Sequence, residues 1–306
     1  MSIWLRFMSE IHRSSSPVSS SISLSPSQFS TFQNSPMTSS VRTLLPVALA
    51  AFLATAAHAQ TAPAAADTAA AAPAADALPI TGNFAITNNY VSRGFTQSWS
   101  KPAIQGGLDY AHSSGLFVGT WASSISGTEF RGGSTEWDIY GGYNGTLGDV
   151  GYTAGLYQYL YMGSSSPLVN GRKYNYTEVK LGASYGIVSF NTFVTVSDDY
   201  FGTFDKGRGS LYLDFNVNPD LGNGYTLLTH IGAGALAKHS YANWIDYKVG
   251  VSKALPSNWT LTGAYTYAKD KDGFWTGSDF AVDASGNTYS KRLGKPALVL
   301  TLGKTF

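Results

Sequence analysis

Between residues 80 and 306, apolar and polar side chains alternate in runs of about ten residues, and this pattern constrains the fold more than any other feature. In 210–217, SLYLDFNV, Leu211, Leu213, Phe215 and Val217 share one face, and Tyr212, Asp214 and Asn216 the other. In 245–251, Ile245, Tyr247, Val249 and Val251 oppose Asp246 and Lys248. In 136–143, Trp137, Ile139 and Tyr143 oppose Glu136 and Asp138, and in 259–267 Trp259, Leu261, Gly263, Tyr265 and Tyr267 oppose three threonines and an alanine. A period of two belongs to a β-strand with one apolar and one polar face. Soluble strands average about five or six residues, whereas a tilted strand that crosses a bilayer needs about nine to eleven.

About twelve strands are expected: near 82–93, 103–111, 116–124, 136–144, 151–161, 174–184, 187–197, 209–217, 225–235, 243–252, 259–267 and 297–306. The third, fifth and ninth alternate poorly, and the sequence does not assign their faces. No helix is expected after residue 80. The connections at 112–115, 144–150, 185–186, 218–224 and 254–258 are short and rich in Gly, Pro, Asn and Asp. Those at 94–102, 125–135, 162–173, 198–208, 236–242 and 268–296 are mostly longer. Short turns at one end and long loops at the other predict an all-β transmembrane barrel, antiparallel and up-and-down, with periplasmic turns and extracellular loops.

Composition agrees with this reading. Charged residues make up 13% of the chain, about half the usual share of roughly 25%. Aromatics make up 14%, and Trp137, Tyr143, Tyr185, Tyr247, Trp259, Tyr267 and Phe306 fall on apolar faces near strand ends, as interface belts do. A formal net charge of +1 gives no basis for a nucleic-acid surface. The absence of Cys excludes disulfides, Cys-based zinc sites and thiol nucleophiles.

The N-terminal residues read differently. Residues 1–36 are Ser/Pro-rich and aperiodic, and are expected to be an overlong, disordered extension ahead of Met37. Residues 37–59 form a signal peptide, with Arg42, an apolar run from Leu44 to about Ala56, and Ala57-His58-Ala59 as the cleavage motif. Residues 60–79 are an Ala/Pro-rich linker, and 80–306 the barrel. In a closed barrel the last strand pairs with the first, so the final alternation Leu298, Leu300, Leu302, Lys304, Phe306 is expected to seal the cylinder. A terminal Phe306 in this pattern resembles the C-terminal signal read by the barrel assembly machinery. Lys304 departs from it, in a slot near the interface where a lysine can snorkel to headgroups.

In 89–125, Tyr90-x-x-Arg93-Gly94, Gln97, Lys101-Pro102-Ala103-x-Gln105-Gly106-Gly107-x-Asp109-Tyr110 and Gly119-x-Trp121 resemble the TorF-type porin family of proteobacterial outer-membrane proteins (the Gcw-CHP domain). EWDIYGGYNGTLGDVGY, YTEVKLGASYG and VSDDYFG continue the likeness, which runs from about 81 to 306. The resemblance implies an exported barrel and a pore, and it supplies no solute.

The residues expected to face the lumen are Asp109, Glu136, Asp138, Glu178, Lys180, Asp214, Asp246 and Lys248, with Glu178 pairing Lys180 and Asp246 pairing Lys248 two residues apart. Six acids against two bases fit a weak preference for cations or neutral polar solutes, and do not fit an anion channel; bracing and solvating the lumen is the plainer role for them. Arg93, Gln97 and Lys101 fall at the first extracellular hairpin, where a solvated face is expected ahead of an inward gate or a contact with lipopolysaccharide phosphates. The function expected is a channel for passive diffusion of small polar solutes, with no cofactor and no metal, whose partners are outer-membrane lipid, lipopolysaccharide and the assembly machinery. The alternatives are a non-conducting barrel (adhesin, receptor or structural) and a lipid-modifying enzyme. The enzyme would need a lipid-facing Ser and His, and His230 is the one strand-borne histidine. Asp270, Asp272, Asp279 and Asp283 lack the spacing of an EF-hand loop.

Overall fold

The structure, a computed structural model, describes residues 80–166, 171–202, 204–277, 281–282, 288–289 and 291–306. The extension, signal peptide and linker expected at 1–79 lie outside the described residues, as do Asp279 and Asp283.

Twelve strands form the wall: β1 (Ile80–Thr87), β2 (Ala103–Ala111), β3 (Leu116–Ser124), β4 (Thr135–Leu147), β5 (Val150–Met162), β6 (Tyr176–Tyr185), β7 (Val188–Thr195), β8 (Leu211–Val217), β9 (Tyr225–Ala235), β10 (Trp244–Leu255), β11 (Trp259–Asp270) and β12 (Ala297–Thr305). Each pairs antiparallel with its neighbours in sequence, and β1 closes the ring on β12 through Asn83↔Thr305 to Thr87↔Thr301. Closure matters because each backbone group left unpaired in hydrocarbon costs several kcal/mol, and a closed ladder has no edge. Among the described residues no helix is long and apolar enough to cross a membrane, a statement that does not bear on strands.

The wall is oily outside. Leu108, Val118, Ile139, Leu181, Val249 and Leu298 all point outward and are exposed. Trp137, Tyr143, Tyr185, Tyr247 and Phe306 are on this face too. Lys304 lies outward, its Nζ over the rings of Trp259 and Phe306 and 3.2 Å from the Ser257 carbonyl. The alternate residues point inward and are buried, with Gln105, Glu136, Lys180, Asn191 and Thr262 among them. The hydrophobic effect therefore sorts this chain inside out relative to a soluble domain, since the apolar face is the one with no protein partner.

The fifth strand, whose facing the sequence left open, turns Thr153, Tyr157, Tyr159 and Tyr161 inward. β1 differs from expectation: it ends at Thr87, six residues early, and the chain then leaves the wall. Residues 91–96 form a separate two-stranded ribbon, Val91–Ser92 against Phe95–Thr96, between the long-loop ends of β1 and β2.

Candidate functional site: the lumen and its folded-in hairpin

The ribbon turns at Arg93 (φ 48°) and Gly94 (φ 84°), both left-handed, as a two-residue hairpin with the native strand twist requires. Gly94 is needed twice over. Its φ suits glycine, and a Cβ here would overlap Asp246 Cβ and come within 2.7 Å of Ala268 Cβ. These two wall residues face each other across β10 and β11, so the hairpin tip is pressed against the inside of the barrel.

The hairpin is tied down by its own polar groups and by the loops above it. Thr96 Oγ1 donates to Asn89 Oδ1 (2.6 Å) and Ser98 Oγ to the Lys101 carbonyl (2.6 Å). The Gln97 amide donates to the Tyr90 carbonyl (2.7 Å), and the Gln97 carbonyl accepts from the Ser126 amide (3.0 Å). The Thr96 amide reaches the Leu293 carbonyl (3.1 Å), and Lys291 Nζ donates to the Trp99 carbonyl. Arg93 and Gln97 are thus folded inward, and Gln97 is buried. The solvated face expected of this hairpin is found only at Lys101, which is exposed. Sequence reasoning misplaces the other two because a turn's polarity does not say which side of a barrel rim it folds over.

Arg93 crosses the lumen to the far wall. Its Nη1 and Nη2 donate to Glu178 Oε1 (3.0 Å) and Oε2 (2.5 Å) on β6, and Nη1 also reaches Tyr200 Oη (3.3 Å). The guanidinium carbon lies 4.5 Å from the centre of the Tyr212 ring and 4.9 Å from that of Phe193. Glu178 therefore pairs with Arg93, whereas the sequence suggested Lys180. The Lys180 ammonium, also buried, sits over the Tyr157 and Phe193 rings at 5.8 and 5.6 Å. An ammonium two residues away along the same strand matches the two carboxylate oxygens less well than a two-pronged guanidinium arriving from across the lumen.

The second expected pair is replaced as well. Asp246 Oδ1 lies 2.8 Å from His230 Nε2, and Asp246 accepts from Tyr212 Oη (3.1 and 3.2 Å) and Trp244 Nε1 (3.2 Å). His230 Nδ1 lies 2.8 Å from Asp214 Oδ1, and Asn191 and Asn216 donate to the same carboxylate. His230 is thus buried inside the barrel, away from the lipid face where a surface hydrolase would need it. The remaining expected residues are on the inner wall. Asp109 accepts from Tyr140 Oη (2.6 Å), Glu136 from Tyr161 Oη (3.1 Å), Asp138 is buried, and Lys248 borders the cavity.

Aromatic rings fill the long-loop half of the lumen. Phe130, Tyr161, Tyr174, Tyr176, Phe201 and Trp275 pack in stacked and edge-on pairs, with ring centres 4.8–6.4 Å apart where they touch. Trp244 ties this cluster to the hairpin, donating from Nε1 to the Arg93 carbonyl (3.1 Å). Below lies a cavity of about 60 Å³ between the hairpin and β9–β12, bordered by Asn89, Gln105, His230, Asp246, Lys248 and Thr301 and by apolar groups such as Leu228 and Val299. Among the described residues no group of three or more His, Cys, Asp or Glu side chains could hold a metal. Asp270 instead accepts the Trp275 amide at 2.6 Å. The inward tyrosines of β5 carried a signal the sequence reading did not use: their alternation with Leu156, Gln158 and Leu160 puts aromatics on the face continuing from Thr153 and Gly155.

A closed antiparallel cylinder with an apolar outside and a charged inside defines the class as a membrane-spanning β-barrel protein. The family described as "Bacterial protein of unknown function (Gcw_chp)" matches residues 70–306, and the chain belongs to that family. No curated protein matches the sequence. Solved structures similar to it include the KdgM porin (TM-score 0.44, 9% identity, 74% of this chain and 97% of that one) and the NanC porin (0.44, 9%, 74% and 98%). Another is a BenF-like porin from Pseudomonas fluorescens Pf-5 (0.35, 13%, 76% and 65%).

Proposed function

We propose that this protein is an outer-membrane channel for passive diffusion of small polar solutes, closed in the conformation described by the hairpin at 91–96. The observation that carries this reading is the inner wall, where charged and hydrogen-bonding side chains line a cylinder whose outside is apolar. A barrel that served only as an anchor would have no need for buried ions, which cost several kcal/mol each to desolvate. The proposed location is the outer membrane, reached behind the signal peptide at 37–59. There the chain would meet lipopolysaccharide at its long loops and the barrel assembly machinery through Phe306.

The lining favours cations. Asp109, Glu136, Asp138, Glu178, Asp214 and Asp246 outnumber Lys180, Lys248, Arg93 and His230, and rings of acids attract cations. The packed aromatic half of the lumen favours a second reading, a barrel that does not conduct at all. Planar-bilayer recording of the purified protein in a potassium chloride gradient separates the two. Stepwise current with a reversal potential displaced toward the potassium equilibrium potential is expected. Absence of current in both the wild type and a hairpin-displaced variant would refute the channel, and an anion-selective reversal potential would refute the reading of the lining.

A further inference from the structure

We infer that the lumen wall carries a binding site for a guanidinium group, and that Arg93 is its built-in occupant. The inference rests on the channel reading and names the class of solute the lumen holds. The hydrogen-bond acceptors and ring faces that meet the guanidinium belong to the wall and to the loop after β7. Glu178 supplies two oxygens to two nitrogens, Tyr200 a third acceptor, and Tyr212 and Phe193 two ring faces at 4.5 and 4.9 Å. Glu178 is fully buried, and its other hydrogen bond is a long one from Thr195 Oγ1 (3.5 Å).

When the hairpin leaves, this recess keeps its shape and loses its cation. A carboxylate remains beside two ring faces, an arrangement that favours a replacement charge. The slot also selects the kind of charge. Two parallel N–H donors match the two carboxylate oxygens, and a flat, weakly hydrated cation lies against ring faces where a compact, strongly hydrated one gains less. A solute ending in a guanidinium fits both demands. A primary ammonium meets only the charge, and urea, nearly the same shape, meets only the geometry. In the wild type the tethered Arg93 competes at an effective concentration in the millimolar range, so a solute must displace it to enter.

The test uses Arg93→Ala in the full barrel, with guanidinium chloride at low millimolar concentration as the probe, and urea and sodium chloride as controls. Guanidinium is expected to raise the thermal midpoint of Arg93→Ala and reduce its bilayer current, with little effect from either control and little response in the wild type. Adding Glu178→Gln is expected to weaken the response about ten- to a hundredfold, the loss of a charge-assisted pair of hydrogen bonds. Should Arg93→Ala fail to fold, Arg93→Lys keeps a charge near Glu178 and leaves the flat slot unfilled, and the same titration applies. A response equal to that of urea, or one unchanged by Glu178→Gln, overturns the inference. A guanidinium-specific thermal shift without current in any variant would remove the channel and keep the site. Current that ignores guanidinium, with no thermal shift, would remove the site and keep the channel.

Discussion

Replacing Gly94 with alanine should push the hairpin out of the barrel while leaving the barrel itself intact. Two costs add. At φ 84° a residue with a Cβ pays about 1–2 kcal/mol for left-handed backbone. The new methyl also meets Asp246 Cβ and Ala268 Cβ, which cannot retreat because β10 and β11 are paired along twelve positions, including Asp246↔Ala268 itself. Overpacking against such a wall costs about 1–3 kcal/mol. Together, about 2–5 kcal/mol lowers the ratio of docked to undocked hairpin roughly thirtyfold to several thousandfold, at about 1.4 kcal/mol per factor of ten. Single-channel recording should show a higher open probability and a larger open level for Gly94→Ala than for the wild type. Trp244 gives an optical check, because its indole donates to the Arg93 carbonyl and loses that partner on undocking. Tryptophan emission should therefore shift, and a Trp244→Phe background should reduce the shift to what Trp275, packed on Phe95 at 4.8 Å, contributes. A Gly94→Ala barrel with wild-type mobility on unheated gels, wild-type emission and wild-type current would mean that the hairpin does not close the lumen.

Three further outcomes follow from the same geometry. Val249→Arg places a cation on the lipid face beside the inward Lys248 and should cost about 2–4 kcal/mol in reversible folding into lipid vesicles; an equal cost for an added charge at inward Thr301 would refute the assigned faces. Glu129, in the loop between β3 and β4, is buried, and burial holds its carboxyl well above the usual range, partly opposed by the Lys291 ammonium and by a backbone hydrogen bond from Trp99. Its folded pKa is raised, so the extracellular cap should be most stable below the unfolded value of about 4.3 and lose stability as pH climbs from there toward the folded value. Glu129→Gln should flatten that slope in thermal midpoints measured at about pH 5 and about pH 8, and an unchanged slope would place the titration elsewhere. Tyr159→Ala removes a fully buried ring stacked on Tyr176 at 4.4 Å and should cost about 3–5 kcal/mol; a loss below about 1 kcal/mol would show a loosely packed lumen.

The strand order, strand lengths and facing were largely legible in the sequence, because a wall one residue thick has one oily and one wet side and the period of two records both. Leu211, Leu213 and Phe215 could face only lipid once Asp214 and Asn216 faced the other way. The alternating loop lengths fixed an up-and-down order, since each short turn leaves its two strands no choice but to be neighbours. Partnership inside the lumen was not legible. Glu178 and Lys180 are two residues apart on one face, yet Glu178 bonds to Arg93, 85 residues earlier in the chain. Asp246 likewise bonds to His230 on the neighbouring strand and to Tyr212 one strand further on, where local spacing offered Lys248.

The cylinder was therefore determined by the sequence alone, because solvent on one side and lipid on the other act on each residue independently of its distant neighbours. The contents of the cylinder were decided only by the tertiary structure. Closing twelve strands brings residues from all around the ring within reach of one another, and a hairpin with two left-handed residues and no side chain at Gly94 can fold in among them. Which carboxylate then receives the arginine depends on distances across the lumen, and no linear spacing encodes those.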